Sequence, residues 1–199
     1  MAMLDRFKLD PHQAVLLVVD VQEKLAPTFP ETDYRAMVAT IDTLVRGAGA
    51  LKLPVVTTEQ YPRGLGHTVP ELAAACADGV VEKTSFGCCG EPAFIDRLRQ
   101  LGRSQVIVTG VEAHVCVYQT VIGLLEAGFH VHLVRDGVCS RIPADKRTAL
   151  SLARAAGATV TCAETVLFQL LGDAKAEAFR EVSGLVKERW EKLRELGTA

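Results

Sequence analysis

Val15-Leu16-Leu17-Val18-Val19-Asp20 is the stretch that decides how this chain folds. Five consecutive apolar residues, three of them β-branched, end at an acid. A strand with one wet face alternates apolar and polar side chains. A run that is apolar on both faces belongs to a strand covered on both sides, as in a parallel sheet. Working outward, the same kind of run recurs. Val55-Val56-Thr57-Thr58 follows Pro54, Val80-Val81-Glu82 follows Gly79, and Val106-Ile107-Val108-Thr109 is closed by Gly110. Phe129 to Val134 and Ala158 to Cys162 complete six such runs. Between them lie helical patterns. Asp33 to Leu51 sets Met37, Ile41, Leu44 and Val45 on one stripe. Pro92 to Leu101 opens on proline and stops at Gly102, Ala113 to Ala127 stops at Gly128, and Pro143 to Ala156 stops at Gly157. Strand, helix and glycine in repeated alternation predict a doubly wound α/β sheet. Two further helices are expected over Glu164 to Leu171 and Lys175 to Leu196. The last carries Phe179, Val182, Leu185, Val186 and Trp190 as an apolar stripe expected to cover the domain itself or a partner subunit, the domain being the default.

With 199 residues, 49% of them hydrophobic, the chain can bury a sizeable core in a single domain spanning 1–199. The formal net charge is −2 and no basic stripe stands out, which argues against a nucleic-acid partner. Met1 to Asp10 lacks the apolar centre of a signal peptide. The apolar runs fall far short of the ~20 residues a membrane helix needs. A cytoplasmic protein with no membrane partner is expected. The six cysteines, at 76, 88, 89, 116, 139 and 162, are scattered and form no C-x-x-C pair, so reduced thiols are expected.

Three polar residues share one kind of position. Asp20 ends the first strand, Lys83 ends the third, and Cys116 sits in the first turn after the fourth. In a parallel sheet all three project from the carboxyl edge, where open α/β sheets bind ligands. The long irregular stretches Glu59 to Val69 and Lys83 to Glu91 leave the same edge. Taken singly, Asp20 reads as a turn or cap residue, Lys83 as a solvated lysine and Cys116 as a core thiol. Together they offer nucleophilic chemistry. A helix N-terminus and an ammonium would lower a thiol pKa from ~8.5 to roughly 3.5–7.5. Asp20 would take the thiol proton and return it to a leaving group. Backbone amides of Glu112 to Cys116 would hold an oxyanion.

The motifs carry a resemblance. Leu16-Leu17-Val18-Val19-Asp20-Val21-Gln22, Lys83-Thr84-Ser85-Phe86 and Val108-Thr109-Gly110-Val111-Glu112-Ala113-His114-Val115-Cys116-Val117 resemble, in order and spacing, the three motifs of the isochorismatase-like cysteine hydrolases. Thr58 to Gly66 and Glu112 to Cys116 are similar to the isochorismatase-domain-containing subgroup. The resemblance implies a Rossmann-like three-layer sandwich around a six-stranded parallel sheet. It implies Asp20 as proton acceptor and donor, Lys83 as its electrostatic partner and Cys116 as nucleophile. It further implies a cis peptide between Val111 and Glu112, oxyanion donors at the Glu112 and Cys116 amides, and a homo-oligomer. Relatives that hydrolyse nicotinamide place an Asp-x-His pair and a further histidine after the second strand. Here that place reads Thr58-Glu59-Gln60-Tyr61-Pro62 with His67 alone nearby, so no metal and no cofactor are expected.

The remaining candidates are secondary. Gln22, Tyr61, Phe86 and His114 are expected to contact a small-molecule substrate. His114 stands two residues before Cys116, and residues two apart on a helix do not face each other. His130 and His132 alternate on a strand and are expected to pack or face solvent. Cys88-Cys89 and Cys139 line the same edge. The expected activity is hydrolysis of a small carbonyl compound, an amide or related C–N bond. Two rivals stand beside it. One is a catalytically silent scaffold. The other is a thiol-redox protein that uses Cys88, Cys89 or Cys139 to resolve Cys116.

Overall fold

The computed structural model describes residues 4–198. Met1 to Met3 and Ala199, included in the readings above, lie outside them. The sheet contains β1 (Ala14–Val19), β2 (Val55–Gln60), β3 (Val80–Lys83), β4 (Gln105–Val111), β5 (His130–Cys139) and β6 (Thr159–Thr161). The order is β3-β2-β1-β4-β5-β6, and every pairing is parallel. Around it lie α1 (Glu31–Ala50), α2 (Pro62–Leu65), α3 (Pro92–Leu101), α4 (Tyr118–Glu126), α5 (Pro143–Ala156), α6 (Ala163–Leu171) and α7 (Phe179–Glu195). No helix among the described residues is long and apolar enough to cross a membrane.

The alternation of β1 divides the core. Ala14, Leu16 and Val18 pack with residues of α1, α6 and α7. Val15, Leu17 and Val19 pack with residues of α3, α4 and α5. All six side chains are buried, each contributing roughly 1.5–3 kcal/mol for a Val or Leu. The three-layer sandwich follows, because both faces of the central strand demand helices. The apolar stripe of α7 covers the domain in part: Val182 and Leu185 are buried, with Val182 in the α1-side cluster, whereas Trp190 at the far end is 54% exposed.

Strand order reverses beside β1, which has β2 on one side and β4 on the other. Such a switch point opens a crevice at the carboxyl ends of the strands. Gly110 lets β4 close on β1 there. Its φ is +113°, and a Cβ would collide with the Val19 backbone, so only glycine fits.

Several elements depart from their sequence patterns. The helix expected over Ala113 to Ala127 is two elements: a π-helical turn, Ala113–Val117, and then α4. β2 continues through Glu59 and Gln60, residues with poor strand propensity, because β3 pairs them with Glu82 and Lys83. β5 runs on to Cys139, bulging between Leu133 and Val138 while β4 advances only from Val108 to Gly110. α7 starts at Phe179, not Lys175. The Asp173 carboxylate accepts from the Lys175 N–H at 2.7 Å and holds a turn there instead.

Candidate active site

Asp20 is placed by its backbone. It follows β1 with φ +51°, a left-handed conformation that aspartate tolerates better than most residues. Its N–H still donates to Thr58 O at 3.1 Å, so the turn begins with the ladder intact. Its carboxylate is fully buried and fully engaged. Oδ1 accepts from Thr58 Oγ1 at 2.7 Å, and Oδ2 accepts from Lys83 Nζ at 2.6 Å. The ammonium spends its other hydrogens on Ser85 O at 3.1 Å and Phe86 O at 3.0 Å. Both side chains are at most 1% exposed. A buried ion pair survives desolvation only when its remaining donors and acceptors are met, as they are here. The two carbonyls also fix the loop after β3 around the ammonium.

Cys116 reaches the same crevice from β4. The Val111–Glu112 peptide is cis, and the π turn follows. Thr120 Oγ1 donates to Cys116 O at 2.6 Å and accepts from the Cys88 N–H at 2.9 Å, tying the turn to the loop after β3. The Cys116 thiol donates to Gln60 Oε1 at 3.1 Å. Cys88 lies under the carboxylate, its Sγ 3.6 Å from Thr58 Oγ1, and is completely buried. Three strand ends, β1, β2 and β3, and the turn after β4 thus converge on one small polar core.

An isochorismatase domain model matches residues 14–165, from the first residue of β1 into α6. The chain belongs to the isochorismatase family. Isochorismatase domain-containing protein 2 of Danio rerio is 40% identical over 182 residues, covering 90% of this chain and 89% of that protein. The MAR1 ribonuclease of Caenorhabditis elegans superposes with a TM-score of 0.84 at 38% identity, covering 90% of this chain and 92% of the other. The YcaC gene product of Escherichia coli, an octameric hydrolase of unknown specificity, has a TM-score of 0.84 at 25% identity, covering 96% and 95%.

Electrostatics within this isochorismatase fold correct one expectation. The Cys116 thiol is not activated at rest. Burial pushes its pKa well up, and the Asp20 charge adds to the effect, while Lys83 opposes it without prevailing. Lys83 is already neutralised by Asp20, and the turn in which Cys116 sits is closed over rather than open to solvent. Cys88 is pushed up to about 11, first by burial and then by Asp20. Cys89 rises to about 12, mainly by burial. All six cysteines are free. The resting site is a protonated thiol beside a paired carboxylate.

The isochorismatase fold distributes the secondary candidates unevenly. Gln22 does not face the crevice as a free ligand. It is completely buried, donating from Nε2 to Gln60 O at 3.0 Å and Gly66 O at 2.6 Å and accepting from Gln60 N at 2.8 Å. Its amide locks the end of β2 to the loop that follows. Tyr61 and Phe86 are exposed aromatics on the two edge loops, 56% and 55% accessible. Tyr61 adopts φ +40° and caps α2. His114 turns away from Cys116, with Nδ1 3.0 Å from Ser140 Oγ and Nε2 3.8 Å from Asp145 Oδ2. The Glu112 carboxylate accepts from the Arg141 N–H at 3.0 Å and faces its guanidinium at 3.1 Å, holding the β5–α5 loop against the turn. His132 packs in the core, whereas His130 is half-buried.

Glu59 and His67 pair with each other at 3.0 Å, and Thr68 donates to Glu59 from its N–H and its hydroxyl. Burial is the largest single influence on Glu59 and acts upward, but these donors together hold its pKa below the usual carboxylate value. The same pair raises His67. Among the described residues no three His, Cys, Asp or Glu side chains gather as a metal cage would need.

One residue escaped the sequence reading altogether. Gln60 was visible only as part of a loop, yet its side chain is the hydrogen-bond partner of the candidate nucleophile. The available signal was its position, next to the first residue of a long loop at the carboxyl edge.

Proposed function

We propose that this isochorismatase-family protein hydrolyses a small carbonyl compound, an amide or related C–N bond, with Cys116 as nucleophile, Asp20 as proton carrier and Lys83 as the charge that holds Asp20 in place. The observation that carries this reading is the completely buried Asp20–Lys83 pair set at the switch point beside Cys116. Burying two charges is costly, and an apolar pair would hold the strands at least as well, so the ions are explained by what they do to the thiol. The Cys116 proton passes to Asp20 as Sγ attacks the carbonyl carbon. The oxyanion is met by the Glu112 and Cys116 amides. Collapse breaks the C–N bond, and Asp20 returns the proton to the departing nitrogen. Water, deprotonated by Asp20, cleaves the thioester to acid and free thiol. A raised resting thiol pKa fits this order, because the proton is removed only when a carbonyl is there to receive the sulfur.

A nucleic-acid substrate, suggested by the nematode relative, finds less support. The net charge is −2, and the Lys83 ammonium is committed to Asp20. We further infer self-association, supported by the octameric state of the YcaC relative and by the exposed Tyr61, Phe86 and Ile142 on edge loops. Free thiols throughout favour a reducing, cytoplasmic setting.

The test is ammonia or amine release from a panel of small amides by the parent protein and Cys116→Ala. Turnover should fall about 10³-fold or more in the variant. Comparable turnover by a folded Cys116→Ala protein would remove Cys116 from the chemistry.

A further inference from the structure

The Gln60 carboxamide lies across the candidate nucleophile. Its Oε1 accepts the Cys116 S–H at 3.1 Å, and its Nε2 approaches Thr84 O at 3.4 Å. The backbone of the same residue is held by other means. Gln22 takes both its N–H and its C=O, and the β2–β3 ladder pairs it with Lys83. The strand end therefore stays fixed while the side chain, which is only partly buried, is free to turn about its own torsions.

The contacts define a shape. One acceptor faces the thiol, and one donor faces a backbone carbonyl, both on the same planar carbon. That is a primary carboxamide. A carboxylate would set a lone pair against Thr84 O and a second negative charge beside Asp20. An ester would leave Thr84 O unmet.

We propose that Gln60 is a substrate-displaced latch: its carboxamide holds Cys116 in the place that the substrate's own primary carboxamide takes. The proposal rests on the reading of Cys116 as nucleophile. In the latched state the S–H is given to Gln60 Oε1. An incoming R–CONH₂ replaces Oε1 with its carbonyl oxygen and Nε2 with its NH₂. The thiol then turns to Asp20, which takes its proton as the Sγ–C bond forms. The C–N bond breaks, ammonia leaves with that proton, and water releases R–COOH. Specificity for primary over substituted amides follows, since Thr84 O needs an N–H.

The experiment measures Cys116 alkylation by peptide mass spectrometry, with iodoacetamide and N,N-dimethyl-2-iodoacetamide, each rate normalised to glutathione. Parent, Gln60→Ala and Gln60→Met proteins are compared after circular dichroism has checked their fold. Removing the latch should raise the rate with both reagents five- to tenfold. Iodoacetamide should outpace its dimethyl analogue at least tenfold in the parent. Unchanged or slower alkylation in both Gln60 variants would overturn the latch. A reagent ratio near one would overturn the primary-carboxamide assignment. Failure of the underlying reading looks different: Cys116 unlabelled by either reagent in every native protein, yet labelled after denaturation, would remove the nucleophile and the latch with it.

Discussion

The carboxyl end of β1 and the amino-terminal part of β5 each bury an ionisable side chain, and they do so in opposite company. At the carboxyl end of β1, Asp20 meets Lys83 and Thr58, and every strong donor and acceptor is used. In β5, His132 is 1% exposed, and its Nε2 has no hydrogen-bond partner. At the first site the two groups meet each other and the surrounding carbonyls complete the shell. The second is held neutral: burial, with a smaller push from His130, lowers its pKa from 6.5 to about 4. The sheet tolerates a buried charge where strand ends bring it a counter-charge, and it neutralises a buried group where they do not.

The sharpest way to break the comparison is to remove half of the pair. Lys83→Ala should cost about 3–5 kcal/mol, measured by urea unfolding at pH 7, because the Asp20 carboxylate is then buried alone. The double variant Asp20→Asn/Lys83→Met should recover most of that loss. A single variant within 1 kcal/mol of the parent would mean the pair is not the compensated unit described.

His132 should show the opposite dependence. Its folded-state pKa lies below the unfolded value, so the unfolded chain takes up the proton first as pH falls. Its contribution to stability is present in full above pH 6.5 and is lost as pH drops towards about 4, by on the order of 3 kcal/mol. His132→Leu removes that loss and the unpaired nitrogen. Urea unfolding of the parent and the variant from pH 7.5 to 4 should diverge by that amount. Parallel curves would place His132 in contact with a compensating group.

The smallest effect is expected where charge is cheap. Glu188 is held down to about 2, chiefly by Arg46 and then by Lys192, but all three lie on the wet faces of α1 and α7. Water screens such pairs, and Glu188→Gln should cost under about 1 kcal/mol by the same assay, less still in high salt. A loss matching that of Lys83→Ala would erase the distinction between buried and exposed pairs.

Much of this was legible before any coordinates. The strands of a parallel sheet are readable because they are dry on both faces, as Val15 to Val19 is, and the glycine-stopped helices between them leave one topology class. Asp20, Lys83 and Cys116 could be brought to one edge from the parallel rule alone. Less legible was the carboxyl half of β2. Val55 to Thr58 read as strand, but Glu59 and Gln60 are polar and read as the start of a loop. They are strand because tertiary partners satisfy them: β3 pairs both, Thr68 donates to Glu59, and the Gln22 side chain bonds the Gln60 backbone. Gln22 and Gln60 exchanged expected places for the same reason. Which of two glutamines reaches a thiol and which locks a loop depends on partners distant in the chain.

Sequence alone thus determined the layered α/β architecture, the edge at which the polar residues collect and the family to which the chain belongs, because hydrophobic periodicity and motif spacing are local properties written along the chain. Tertiary structure alone decided the state of the thiol, the pairing of the buried charges, the π turn that carries Cys116 and the side chain that rests upon it. Those depend on desolvation and on distances between residues far apart in the chain, and neither exists until the strands are side by side.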